Sequence, residues 1–422
     1  MEENPIVAFF LALAVIILAA RVFGSIARRL GQPRVLGELI AGIVLGPTLL
    51  NMPHWMLFEF IRLDEMVKPL AELGVLFLMF IIGLEVEIAE LAKVGRVALL
   101  AGVIGALLPV ALTVPAGMYF GFSLEASLFA GVTLAATSVS ISAQVLLELG
   151  HLRSKEGNAL LATALIDDVL AILLVSITLA VFAGSGSGEE SASAVALLII
   201  LVKMAAYIGI AFGLSWFVLP RVMNWITSHP SIAQANGTAA LAIMFMLTFA
   251  WAAEALGGVA MITGAFIAGV GLSRINDHAE KEIEETVSHI AYAFLMPIFF
   301  ISVGLETDLS TFPLSALPLA TVLLAVALVS KVGGSGLGAK LGGFTNIESL
   351  RVGVCMISRG EVGLIIAALG LSSGILQKDD PLFASLFLVI LLTTVFTPIL
   401  VRMVFPKDDS FSSPKQAKGH AS

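Results

Sequence analysis

Long apolar runs, broken by short clusters of charge, proline or glycine, set the pattern of this chain. Pro5–Ala20, Ala98–Val114 and Leu382–Val401 each approach the roughly 20 residues that a helix needs to cross hydrocarbon. Taking every such run gives segments 5–27, 34–51, 66–84, 96–120, 125–147, 156–184, 193–219, 235–255, 257–274, 289–305, 314–339, 349–372 and 382–404. The pattern predicts an all-α polytopic membrane protein of about 13 transmembrane helices.

Composition agrees with that solvent. Of 422 residues 58% are hydrophobic and 13% charged, against about a quarter charged in a soluble domain. So few charges cannot cover a water-facing surface. The 39 glycines suit close helix packing in lipid. The one cysteine, Cys355, excludes an internal disulfide framework and offers no thiolate cluster for a metal. The start, Met1-Glu2-Glu3-Asn4, lacks the basic region of a signal peptide, so the first segment reads as a retained helix.

The net charge of −8 becomes informative once charges are sorted by side. With the N-terminus outside, 17 of the 23 basic residues fall in loops on the cytoplasmic side and three on the other, the last three being Lys203, Lys331 and Arg359 within segments. This is the positive-inside asymmetry, and it predicts a multi-pass cell (inner) membrane protein with a cytoplasmic C-terminus. The tail 406–422 is polar and reads as disordered.

A second regularity is internal. Gly83-Leu84-Glu85 closes the third segment and Gly304-Leu305-Glu306 the tenth, 221 residues and seven segments later. An odd number of segments gives the two copies opposite topology, as in the inverted repeats of secondary transporters. The expected division is a first repeat over 1–184, a connector helix and linker over 185–234, and a second repeat over 235–405. The same offset maps Ser138 onto Arg359, and both lie in interrupted stretches, AATSVSISAQ and SRGEVG. Such paired interruptions predict crossed broken helices around a midplane site, although hydroxyls in segment 5 can also back-bond within a continuous helix.

Asp167 and Asp168 lie in the middle of segment 6, where an ionised carboxylate costs several kcal/mol unless paired or hydrated. Neighbouring residues project about 100° apart on a helix, so the two carboxylates should have different partners. A carboxylate in a wet, low-dielectric cavity suits a site for which a cation and a proton compete. Lys331 in segment 11 is a candidate charge partner, with snorkelling to the interface as the alternative. Arg359 and Glu361 suit neutralisation of half-helix dipoles, and Thr137 and Ser138 offer hydroxyl oxygens beside the carboxylates. Glu38 and Glu254 are candidates for an entrance, and Lys203 for a lipid-facing contact.

These stretches, from GQPRVLGELIAGIVLGP through FLMFIIGLE, ATSVSISAQVLLELG and LIDDVLAI to SKVGGSGLGA and SRGEVGLI, resemble the monovalent cation/proton antiporter superfamily, in its bacterial sodium/proton antiporter branch. The resemblance implies a homodimer with a static dimerisation domain and a mobile core that carries the ion like an elevator. It implies that Asp168 is the cation ligand and proton carrier, with Asp167 and Thr137 beside the Na+, that Asp167 pairs with Lys331, and that Thr137, Ser138, Arg359 and Glu361 build the unwound crossing. An Asp-Asp pair with the lysine implies electrogenic exchange of two protons per cation. Expected partners are monovalent cations, protons, the lipid bilayer and a second copy of the chain, with no nucleic acid and no cofactor beyond the transported Na+ and H+. K+/H+ exchange is the close alternative and a passive cation channel the next. An intramembrane aspartyl protease would carry its aspartates on two facing helices, unlike this adjacent pair.

Overall fold

The computed structural model describes residues 5–58, 61–85, 93–183, 194–227, 236–275, 277–305, 312–377 and 380–405. The linker residues 184–193 and 228–235 and the tail 406–422 lie outside the described residues. All regular structure among the described residues is helical: α1 (Pro5–Arg29), α2 (Arg34–Leu45), α3 (Leu63–Glu85), α4 (Gly95–Tyr119), α5 (Leu124–Ala135), α6 (Val139–Leu149), α7 (Lys155–Ala183), α8 (Ala194–Phe217), α9 (Leu219–Thr227), α10 (Gly237–Ala252), α11 (Met261–Leu272), α12 (Asp277–Ile290), α13 (Met296–Leu305), α14 (Leu317–Leu341), α15 (Asn346–Cys355), α16 (Glu361–Ser372) and α17 (Pro381–Val404).

Among the described residues, ten helical stretches are long and apolar enough to cross a bilayer. The other three expected segments fall on shorter pieces: α2, α11, and the broken pair α15 and α16. Segment 2 is expected to run to 51, yet α2 stops at Leu45 because Gly46 turns into extended backbone (ψ −179°). Local chemistry sets other ends. Ser123 caps α5 by accepting from the Ala126 amide at 3.1 Å. Thr345 and Glu348 form a reciprocal capping box at the start of α15. Gly150 closes α6 in the left-handed conformation that glycine adopts without a Cβ penalty (φ 77°).

The helices pack in two groups. In one, α2 and α3 pack on α11 and α13, with α1 and α10 outside them. In the other, α4 and α14 form the central pair, flanked by α5, α7, α15 and α17. The central pair meets backbone to backbone. A Cβ on Gly338 would strike Leu100 and Ala101, one on Gly342 would strike Val97, and one on Gly105 would strike Ser335. The first group uses the same device twice: Gly83 of α3 abuts Phe266 and Gly269 of α11, and Gly304 of α13 abuts Gly42 of α2. The glycines that open the two Gly-Leu-Glu copies thus make equivalent close approaches, Glu306 itself lying outside the described residues. Outer helices present long apolar side chains, among them Phe10, Leu18, Ile199, Ile210, Leu247 and Trp251, to the surroundings. That surface suits lipid and would be a liability in water.

Candidate functional site

Both expected interruptions are present, and they touch. Between α5 and α6 the backbone is extended from Ala136 to Ser138 (Ala136 φ −62°, ψ 139°). Between α15 and α16 it leaves the helix over 356–360. The Ser138 amide donates to the Ser358 carbonyl at 2.9 Å. The Ser142 hydroxyl donates to the Cys355 carbonyl at 2.6 Å, so backbone groups freed by the two breaks are partly satisfied by the opposite chain segment.

Broken helices leave carbonyl ends with partial negative charge inside the protein. Arg359, 0% exposed, answers them. Its Nε donates to Leu134 O at the end of α5 (2.9 Å), Nη1 to Met356 O (3.4 Å) and Ile357 O beyond α15, and Nη2 to Ala327 O of α14 (3.3 Å). One guanidinium therefore joins three helices, and its planar fork of donors is what allows it. Glu361 opens α16, and its side chain lies outside the described residues.

α7 brings Asp167 and Asp168 alongside the crossing, and their environments differ. Asp167 is 1% exposed and its Oδ1 accepts from Lys331 Nζ at 2.8 Å, with Lys331 fully buried on α14. Lys331 is thus directed inward rather than to an interface. Two opposite charges so placed offset each other's desolvation, and removing either leaves the other stranded. Among the described residues, Asp167 Oδ2 and the Thr137 and Thr163 hydroxyls are buried without a hydrogen-bond partner. They are oxygen donors of the hard type that a small cation takes.

Asp168 is half-buried and turns to another neighbourhood. Its Oδ2 accepts from the Thr263 hydroxyl of α11 at 3.4 Å. It faces a cleft of about 30 Å3 lined by Met79, Val139, Leu161, Ile262, Thr263 and Phe266. Val139 is the first residue of α6, so the positive end of that half-helix adjoins the carboxylate. Thr263 is not legible in the sequence as a site residue, since one threonine in the apolar stretch AMITGAFIAG carries no signal that separates a ligand from packing. Among the described residues no three His, Cys, Asp or Glu side chains gather as a chelating metal cluster would need.

A larger cavity of about 440 Å3 lies elsewhere, lined by Arg34 and Glu38 of α2, Gln144 and Glu148 of α6, Tyr292, and Arg402 of α17. Glu38 is therefore part of a cavity wall, where it accepts from Arg34 Nε at 2.7 Å. Glu254 is exposed in a π-turn after α10, apart from these groups, and Lys203 is exposed on α8.

Comparison with known proteins bears on what this arrangement does. Residues 12–407 match the family model described as "Sodium/hydrogen exchanger, transmembrane". The Na(+)/H(+)-K(+) antiporter GerN of Bacillus cereus is 35% identical over 96% of this chain and 99% of its own length. The Na(+)/H(+) antiporter of Enterococcus hirae is 32% identical over 93% and 97%. The K(+)/H(+) antiporter 1 of Saccharomyces cerevisiae is 25% identical over all of this chain and 50% of its own. The sodium proton antiporter MjNhaP1 of Methanocaldococcus jannaschii shares the fold, with a TM-score of 0.66 over 96% of this chain and 99% of that one at 16% identity. With a multi-pass helical bundle, one buried and one half-buried carboxylate at crossed broken helices, and full-length matches to proteins that exchange cations for protons, the chain belongs to the sodium/hydrogen exchanger family.

Proposed function

We propose that this cation/proton antiporter exchanges Na+ or Li+ for H+ by alternating access, with Asp168 as the group for which cation and proton compete. The observation that carries the reading is the division of labour on α7. Asp167 is engaged by Lys331, whereas Asp168 faces a cleft beside a threonine hydroxyl and a helix N-terminus. A cation entering there would find Asp168 as its charged ligand and the Thr263 hydroxyl beside it; Asp167 Oδ2 and Thr137, buried without partners, would be recruited as further oxygens.

Charge bookkeeping then favours electrogenic exchange. With protons loaded, Asp168 is neutral and the Asp167 to Lys331 pair has no net charge. With Na+ bound to ionised Asp168, Lys331 gives up its proton and Asp167 adds a second negative charge beside the ion. Two protons leave for each cation that binds, and one net charge crosses per cycle.

For the motion, α4–α7 and α14–α17 would form the moving core, and α1–α3 with α10–α13 the static support and dimer contact. Residues 1–184 and 235–405 would be the inverted repeats, a division supported by the equivalent approaches of Gly83 and Gly304. The arginine-rich loops favour an N-terminus outside. A second reading, K+/H+ exchange, is favoured by relatives whose names include K+. Proteoliposomes with an entrapped pH dye decide between them. Na+ and Li+ should move protons and K+ should not, and Asp168→Asn should abolish the response while the purified protein stays monodisperse. A wild-type rate in that variant refutes the carrier assignment.

A further inference from the structure

α2 begins without a cap of its own. Pro33 precedes it and has no side-chain acceptor, so the first amides of the helix need an outside partner. That partner comes from α6, which packs on α7 and α17 and so falls in the moving core proposed above. Glu148, in the last turn of α6, accepts the Arg34 amide on Oε2 at 2.7 Å, and the Val35 amide also bears on its carboxylate. The Gln144 amide donates to Glu148 Oε1 at 3.2 Å and holds the carboxylate in place. A carboxylate on a helix N-terminus gains from both hydrogen bonds and the dipole. Here cap and helix are 114 residues apart in sequence.

A second polar contact crosses between the groups at the same end of the bundle: Arg153, which follows α6, reaches Glu85 at the end of α3 at 3.7 Å. The cavity with Arg34, Glu38, Gln144, Glu148 and Arg402 on its wall runs along this seam. Resting on the moving core proposed above, the geometry points to Glu148 as an interbundle latch, a positioning residue that holds the core in the observed position and is released and remade in each cycle. Its distance from the ion matters little. Its location does the work, because α6 starts at the crossing beside Asp168 and ends on α2, so displacing the crossing must pull Glu148 off the Arg34 amide.

The test measures position and transport together. Spin labels at Leu30→Cys on one group and Ile347→Cys on the other occupy exposed sites. Wild-type protein should give two distances whose weights change between saturating Na+ and acidic, Na+-free conditions. Glu148→Ala should depopulate the observed position by about fivefold, the factor that an ordinary N-cap represents. Glu148→Gln keeps an acceptor oxygen and should fall between. Glu85→Gln, whose Arg153 partner is exposed, should shift the weights less than twofold. In the variants the apparent cation affinity from the side open in the observed position should weaken by the same factor, and D168N should leave the latch distances intact. Two distances with wild-type weights in E148A and E148Q overturn the latch alone. A single distance under every condition overturns the moving core and the latch with it.

Discussion

At the residue scale, the buried pair Asp167 and Lys331 makes the sharpest demand. Lys331→Gln leaves a carboxylate at 1% exposure without its cation, and breaking such a pair costs about 3–5 kcal/mol. The expected outcome is a clear fall in thermal stability that the double variant D167N/K331Q largely restores, because neutralising both partners strands neither; a scattering-detected melt checks it. Arg359 allows a second prediction. Its guanidinium serves carbonyls from α5, α14 and the α15 break, and lysine cannot reproduce that fork. Both R359A and R359K should lower the yield of folded protein, R359A further, as measured by size-exclusion chromatography after extraction. The aspartates and Arg359 were legible because charge in an apolar run is costly and therefore conspicuous. Thr263 and Glu148 were not: one is a hydroxyl among apolar neighbours, the other a carboxylate near a helix end, where carboxylates are ordinary. What singles them out is contact with partners 95 and 114 residues away.

At the scale of elements, the chain shows how interruptions and close approaches share one fold. The broken stretches were legible from hydroxyls and charges inside apolar runs, and their crossing from the 221-residue offset. The short reach of α2 was not, because Gly46 ends the helix through its backbone while the apolar run goes on. Glycine position gives a controlled prediction on α14. A Cβ at Gly338 meets the backbone of Leu100 and Ala101, whereas one at Gly333 meets nothing within 4 Å. G338A should therefore destabilise by about 1–3 kcal/mol. G333A should be neutral or stabilising by up to about 1 kcal/mol through helix propensity. Thermal melts of the two side by side check the pair. The α15 capping box gives a pH prediction. The bond from the Thr345 amide, helped by Lys155, holds the Glu348 carboxyl below its ordinary value. A depressed carboxylate contributes stability that is fully present above its unfolded value of about 4.5 and is lost as pH falls through the folded value. The melting difference between wild type and E348Q should be full at neutral pH and shrink below about pH 4.5.

For the whole molecule, the prediction concerns charge. The proposed exchange of two protons against one cation would move net positive charge in the direction of the protons, so clamping the membrane potential with valinomycin and K+ should speed Na+-driven proton movement in proteoliposomes. An electroneutral exchanger shows no such acceleration. That the chain is a multi-pass helical protein was legible from its run lengths alone, since only hydrocarbon makes so few charges tolerable. Which helices group together was not, because apolar faces in lipid carry no inside-outside contrast, and the grouping follows from glycine contacts that only the folded chain displays.

The glycine seam between α4 and α14 also fixes where Lys331 can go. Lys331 stands three residues before Gly334, in a helix keyed into its neighbour backbone against backbone. Such a rod can neither roll nor slip by one residue without driving a carbonyl into a side chain. The lysine-bearing rod and its neighbour can therefore travel only as one piece, so any displacement of the proposed core carries the Lys331 amine along with the whole seam rather than past it.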